Sequence, residues 1–352
     1  MQRSIARSQC VDGTEAMPSS VACFASDPFG AQLRRTHTLD KQLLGGRFHF
    51  QSNSNALLAL VEAAFGEVPP HRLAQSAEFR IELTLLTRAD APYVLAMEPP
   101  PVQTHCGAGV LCGVVDAHNY VVMAPEQGRA MVMVSEDMLD HPYHVRYELI
   151  EFAVFVLAAR RMGLVPLHGA CVGRDGRGVL LLGGSGSGKS TLALHSLLRG
   201  LDFIAEDALF VAPTSMLATG IGNFLHLRTD LFPLLEPPTR AWIAAAPVIR
   251  RRSGVLKHEV DIRRGVARLA PAPLRLVGAV FVSATLAADP HRLLQPIAED
   301  TAFERLTADQ PYAAGQPHWS LFAHQLQCLG MYELQRGPHP DTSVDALQAL
   351  LA

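Results

Sequence analysis

The sequence has no excess of basic residues. Its 352 residues include 30 Lys and Arg against 33 Asp and Glu, a net charge of −3. Without a positive surplus to neutralise a phosphate backbone, general nucleic-acid binding is not expected. Charge is sparse altogether, at 18% of residues against 49% hydrophobic. That balance excludes a disordered chain, and the length suits two domains of roughly 150 residues each. Cysteine is scarce as well: Cys10, Cys23, Cys106, Cys112, Cys171 and Cys328 form no C-x-x-C pair. So thin a set reads as reduced and intracellular. His105 and Cys106, with Cys112 six residues on, resemble half a metal site, but no second ligand pair follows at zinc spacing, so half-buried thiols in strands are expected. Apolar runs are short. The longest, near Leu149 to Ala159, is interrupted by Glu151 and falls well below the roughly 20 residues of a membrane span. No signal-peptide core follows Met1 to Arg7. The expected location is the cytoplasm, with no membrane partner. Internal repeats and low-complexity segments are absent too.

What is there divides into three stretches. Residues 1–38 are polar and irregular, an N-terminal arm. Residues 39–135 read as a small α+β domain: strands near 47–50, 79–87, 109–115, 120–124 and 130–134, with a helix over 55–65 stopped by Gly66 and Pro69-Pro70. This stretch carries no recognisable catalytic spacing. From 143 to 352 the pattern is α/β. Apolar residues at helical spacing (Val145, Leu149, Phe152, Val156, Ala159) predict a helix over 143–162, closed by Arg160, Arg161 and Gly163. A strand over 165–173, a turn at 174–178 and a continuous apolar strand over 179–182 follow.

That strand runs into Gly183-Gly184-Ser185-Gly186-Ser187-Gly188-Lys189-Ser190-Thr191, a match to G-x-x-x-x-G-K-[ST] at every defined position. The next residues, to Arg199, are good helix formers closed by Gly200. Strand, glycine-rich loop and helix together are the context that gives the motif meaning. Glycines let backbone N–H groups approach phosphate oxygens, and the helix N-terminus adds partial positive charge. Lys189 is the candidate for the β and γ phosphates, and the Ser190 hydroxyl for Mg²⁺.

A second strand over 201–211 carries the pair Glu206-Asp207, sixteen and seventeen residues after Ser190. If it ends at the same sheet edge as the loop strand, both carboxylates approach the phosphates. One acid would then hold Mg²⁺ and the other would take a proton from an attacking hydroxyl. The loop itself looks like that of an ABC transporter ATPase. The LSGGQ-type signature and the later apolar strand ending in Asp-Glu, which such ATPases need, are both missing.

Taken together, His168-Gly169-Ala170, the loop 183–191, the Arg199-Gly200 helix end and Ala205-Glu206-Asp207 resemble HPr kinase/phosphorylase. That bacterial P-loop enzyme phosphorylates a serine of the sugar-transport carrier HPr. Ser253 to Asp261 looks like the later basic loop and strand of HPr-kinase-like proteins, and Met331 to Gly337 like a closing strand, so the resemblance spans about 150–350. It implies an HPr-kinase-like P-loop kinase domain preceded by a small α+β domain. It implies ATP and Mg²⁺ as cofactors, and a serine-bearing protein or peptide as acceptor. By position, Lys189 and the backbone of Gly184, Ser185, Gly186, Ser187, Gly188, Ser190 and Thr191 would hold phosphates. Ser190 and Asp207 would serve the metal. Glu206 takes the place of the family's catalytic acid/base aspartate, and His168 would lie beside the acid pair. Arg252 and Lys257 are candidates to contact nucleotide or transferred phosphate.

The first acid is Glu where the family has Asp, and the N-terminal stretch does not resemble the family's first domain. HPr is therefore not singled out as acceptor; related kinases of the group act on other hydroxyls, including the C-terminal serine of lasso-peptide precursors. Since HPr kinases form hexamers, a homo-oligomer is a further expectation. A nucleotide-gated regulator that transfers nothing, and a kinase of a small-molecule hydroxyl, remain the alternatives.

Overall fold

The computed structural model describes residues 37–87, 98–265 and 268–352. The arm expected over 1–38 therefore lies, apart from His37 and Thr38, outside the described residues, as do Cys10 and Cys23. The fold is mixed α/β, built on three sheets.

The first sheet has seven strands. His37–Leu43 and Gly46–Ser52 form a hairpin, and the helix Asn55–Phe65 carries the chain over to Glu78–Leu86, which lies parallel to Gly46–Ser52. Ser54 caps that helix by accepting from the Ala56 N–H, and its chain leaves the helix at Gly66. Arg129–Ser135 follows in parallel, and Tyr120–Ala124, Val110–Val114 and Gln103–Gly107 extend the sheet as an antiparallel meander. His105 faces Cys112 across the last hairpin, where Cys106 is exposed. Among the described residues no metal-capable cluster gathers around them.

The helix expected over 143–162 forms, but not uniformly. Pro142–His144 is α-helical, Val145–Glu151 is π-helical, and Phe152–Met162 returns to α before Gly163 closes it at φ 63°. The wide turn coincides with buried charge, a common place for π-helical residues. Arg146 reaches Glu259 through a hydrogen bond and Glu151 at 3.3 Å, all three being buried. The Arg146 guanidinium also lies over the Phe224 ring, 4.3 Å from its centroid. One face of Phe152–Met162 packs into the first sheet's core with Phe48, Phe50, Leu83 and Val132; Phe210 and Ile221, from beyond the glycine-rich loop, join the same core. Polar bridges add to the join: His71 to Thr219 Oγ1 at 2.8 Å, Asn223 to the Ala64 carbonyl at 2.8 Å, and Arg263 to the carbonyls of Ala63 and Gly66.

Burial pushes the Glu151 carboxyl up to about 7, against the pull of Arg146. Between its ordinary value of 4.5 and about 7 the folded chain holds a proton that the unfolded chain has released. Stability is therefore expected to fall as pH rises through that window. Glu151→Gln keeps the shape without the ionisation, and Arg146 retains Glu259. In urea titrations at pH 5 and pH 8 the variant should lose most of this slope, gaining at most about 3 kcal/mol over the parent at the higher pH.

The second sheet has ten strands and carries the glycine-rich loop. At its centre Arg177–Leu182 lies antiparallel to Ala170–Arg174 and parallel to Leu274–Leu286, which in turn pairs in parallel with Met331–Arg336. The strands expected over 165–173 and 201–211 are each interrupted. Val165–Leu167 pairs with Leu209–Ala212, and Ala170–Arg174 with Asp202–Ala205, both antiparallel. Leu167 stands opposite Leu209 and Cys171 opposite Ala205, so the two chains leave the ladder at the same level, at 168–169 and at 206–208. His168, Glu206 and Asp207 occupy those two gaps. An antiparallel strand intervenes between Asp202–Ala205 and Arg177–Leu182, but the two run in the same direction and bring their C-terminal ends to one edge. The third sheet, Phe224–Leu227, Leu256–Asp261 and Val248–Arg250, is antiparallel and borders that edge.

Candidate functional site

The loop after Arg177–Leu182 turns through glycines at positive φ: Gly183 at 127°, Gly186 at 82° and Gly188 at 103°. Gly188 occupies the position before the helix Lys189–Leu198, where a left-handed residue reverses the chain into the first turn. A Cβ built on Gly184 or Gly186 would meet no atom of the described residues within 4 Å, and both glycines border open space. The Ser187 hydroxyl is buried there without a hydrogen-bond partner. These features fit an anion cradle. The loop lines a cleft of about 290 Å³ with His168, Asp207, His226, Arg251 and Lys257.

Lys189 bends back over the loop. Its Nζ donates to the Gly183 carbonyl, and to the Gly184 carbonyl at 3.3 Å. Burial pulls its ammonium below the usual lysine range, opposed by Asp309, Asp207 and Glu206. Ser190 donates its hydroxyl hydrogen to Glu206, so the loop and the acid pair lie against each other. Thr191 lines the same cleft.

The two acids differ in surroundings. Glu206 is buried, accepts from Ser190 and from the His226 backbone N–H at 3.1 Å, and does not line the cleft. Burial and the adjacent Asp207 charge raise its carboxyl above the ordinary range. Asp207 faces the cleft from a three-residue turn with φ 65°, closed by the Ala208 N–H on the Glu206 carbonyl at 2.8 Å. A γ-turn with positive φ is a rare and strained conformation, and such strain costs on the order of 1–3 kcal/mol. Burial, the largest single influence, would raise Asp207, but the basic groups around it together outweigh that, led by Arg251 bonded to its Oδ2 at 3.0 Å, and hold the carboxyl below its ordinary value. Of the two acids, Asp207 is thus the one presented to the cleft, with its charged form favoured by Arg251.

Of the three consecutive arginines 250–252, Arg251 rather than Arg252 reaches the site. Arg252 turns away, making a two-pronged bond to Glu148, 2.6 Å on each side, and bonding the carbonyls of Pro99 and Pro100. Lys257 does line the cleft. His226 belongs to it without having been singled out in the sequence. Arg251 donates to its Nδ1 at 3.3 Å, which leaves the Nε2–H for Glu259 at 3.4 Å. Tyr143 and Tyr147 pack edge-on against its ring, and Arg251 sits over Tyr147.

A second contribution comes from far along the chain. Gln310 bonds both the N–H and the carbonyl of His168, at 2.8 and 2.9 Å, and Asp309 accepts from the Gly183 N–H at 3.3 Å. This clamp fixes the exposed His168 at the rim of the cleft. Nothing in the local sequence around 309–310 marks it.

Among the described residues no helix is long and apolar enough to cross a membrane. No protein-family model and no curated protein matches the chain. Among solved structures it is similar to the Hpr(Ser) kinase/phosphatase from Coxiella burnetii at 14% sequence identity and a TM-score of 0.24, over 53% of this chain and 87% of that one.

Proposed function

We propose that this chain is an ATP- and Mg²⁺-dependent kinase that transfers the γ-phosphoryl group to a hydroxyl, a serine of a peptide or protein. The observation that carries the reading is an open glycine-rich anion cradle with Lys189 behind it and a strained Asp207, bonded to Arg251, at its rim. A site that only bound nucleotide would have less need of a base there.

The loop N–H groups and Lys189 would hold the β and γ phosphates, with Arg251 and Lys257 balancing charge from the opposite wall. A pocket lined by Gly186, Thr191, Leu234, Leu286 and Pro338 adjoins the cradle and suits the nucleoside end. Ser190 and Glu206 form an all-oxygen set fit for Mg²⁺, which when bound neutralises charge on the transferring group. Asp207 takes the acceptor's proton as its oxygen bonds to the γ phosphorus and the bond to the β-phosphate oxygen breaks. This division reverses the one the family resemblance implies for the two acids. It follows access: Asp207 faces the cleft, and Glu206 lies behind Ser190.

The test is transfer of labelled phosphate from ATP·Mg²⁺ into peptides and proteins, with the labelled position mapped by mass spectrometry. Label on a defined serine is the expected result. Tight ATP·Mg²⁺ binding with no hydroxyl labelled would overturn the reading in favour of a nucleotide-gated binding protein.

A further inference from the structure

We propose that a groove on the far side of Asp207 is the acceptor subsite, and that it selects a serine lying within two residues of a bulky apolar side chain. The inference rests on the phosphotransfer reading above and adds the class of substrate.

The groove has a volume of about 480 Å³, in the range of sites that enclose small ligands or a few side chains. It adjoins the phosphate cleft, and the two have just His168 and Asp207 in common. A molecule seated in the groove therefore meets the phosphates at the carboxylate proposed to take its proton. The pocket assigned to the nucleoside borders the cleft on another side, through Gly186, Thr191 and Asp230. Nucleoside pocket, cradle and groove thus adjoin in sequence, as donor, transferred group and acceptor must.

The lining decides the chemistry. Phe152, Phe155, Phe210, Pro166, Pro311 and Tyr312 are among the residues of its wall. Phe155 and Phe210 set their rings at 49°, with centroids 5.3 Å apart, and Tyr312 stands 58% exposed at the surface. Among the described residues no Lys or Arg lines the groove, and its carboxylates are Asp207 and Asp309. A phosphorylated or otherwise anionic acceptor would face those carboxylates with no cation to pair with. A polyhydroxy compound would lay most of its hydroxyls against Phe152, Phe155, Phe210, Pro166 and Pro311, whose side chains offer no hydrogen bonds. A peptide with its serine at Asp207 and an aromatic or large aliphatic neighbour among the rings satisfies both constraints. The walls are fixed beforehand: one is a core-packed helix, another is the paired strand Leu209–Ala212, and the third is held by Gln310 on His168. Preformed walls reduce the ordering cost of binding.

The experiment is a serine-peptide library, varied at the two residues on each side, phosphorylated by wild type and by Tyr312→Ser and Ala159→Phe. The first variant removes an exposed ring, and the second fills the groove from the half-buried face of its helix. Expected is enrichment of Phe, Tyr, Leu, Ile or Met beside the labelled serine. Either variant should raise KM for those peptides about tenfold with kcat held. Serine labelling that is indifferent to its neighbours, or a KM unmoved in both variants, overturns the acceptor groove and leaves phosphotransfer standing. Labelling of sugar alcohols in preference to every peptide overturns it as well. If nothing is labelled, phosphotransfer itself fails. Fluorescence anisotropy of a Phe-flanked serine peptide with ADP·Mg²⁺ then decides the groove: a Kd weakened about tenfold by Tyr312→Ser sustains it, and an unchanged Kd overturns it.

Discussion

Lys189→Ala should abolish phosphate transfer, lowering kcat/KM for ATP by about a thousandfold, the scale on which a preorganised charge at a transferring phosphoryl group acts. The physical basis is the position of its ammonium. It hangs over the open hollow on the carbonyls of Gly183 and Gly184, where a phosphate would replace those carbonyls as its partner. Lys189→Arg should fail almost as badly, because a planar guanidinium cannot sit as a point charge inside the turn. Isothermal titration with ATP·Mg²⁺ should show affinity weakened at least about a hundredfold for the alanine variant. Transfer at the wild-type rate by Lys189→Ala would sink the kinase proposal.

Asp207→Asn should leave nucleotide affinity nearly intact and lower kcat by about a hundred- to ten-thousandfold, the usual loss when a general base is removed. Asn tolerates positive φ, so the turn survives, and its carbonyl still accepts from Arg251. Asp207→Gly separates chemistry from strain. It relieves a backbone held at φ 65° and should melt above Asp207→Ala, which loses the same Arg251 bond but keeps the strain, yet be equally inactive. A kcat for either variant within about threefold of wild type would remove Asp207 from the chemistry.

The parts of the site legible in the sequence are those made by neighbours in the chain. Strand, loop and helix over 177–198 follow each other directly, and each announces itself through apolar run, glycines or helix formers. Composition carries a further signal: the chain has three lysines, Lys41, Lys189 and Lys257, and two of them line one cleft. The choice between Arg251 and Arg252 was not legible. It turns on the tight reversal at 251–255, where Gly254 donates to the Arg251 carbonyl at 2.7 Å and Arg251 to that of Val255 at 2.9 Å. Adjacent side chains then point to opposite sides, one to Asp207 and the other to Glu148. His226, Asp309 and Gln310 were illegible for a different reason. They arrive from separate elements, and single polar residues in apolar surroundings leave no periodic trace. The π-helical stretch belongs with them, since Val145–Glu151 carries an ordinary amphipathic helix pattern whose extra width is set by buried partners such as Glu259, more than a hundred residues away.

The matched interruptions at 168–169 and 206–208 bear on how such a protein can change over generations. His168 and Asp207 meet because two antiparallel strands break at the same level, with Leu167 opposite Leu209 on one side and Cys171 opposite Ala205 on the other. Losing or gaining one residue in either strand would slide the breaks past each other and turn the following side chains to the opposite face. Natural variants of this site are therefore expected to differ by replacement within 165–174 and 202–212, not by length. Insertions and deletions should collect instead in connections such as 213–216, which no part of the cleft depends on.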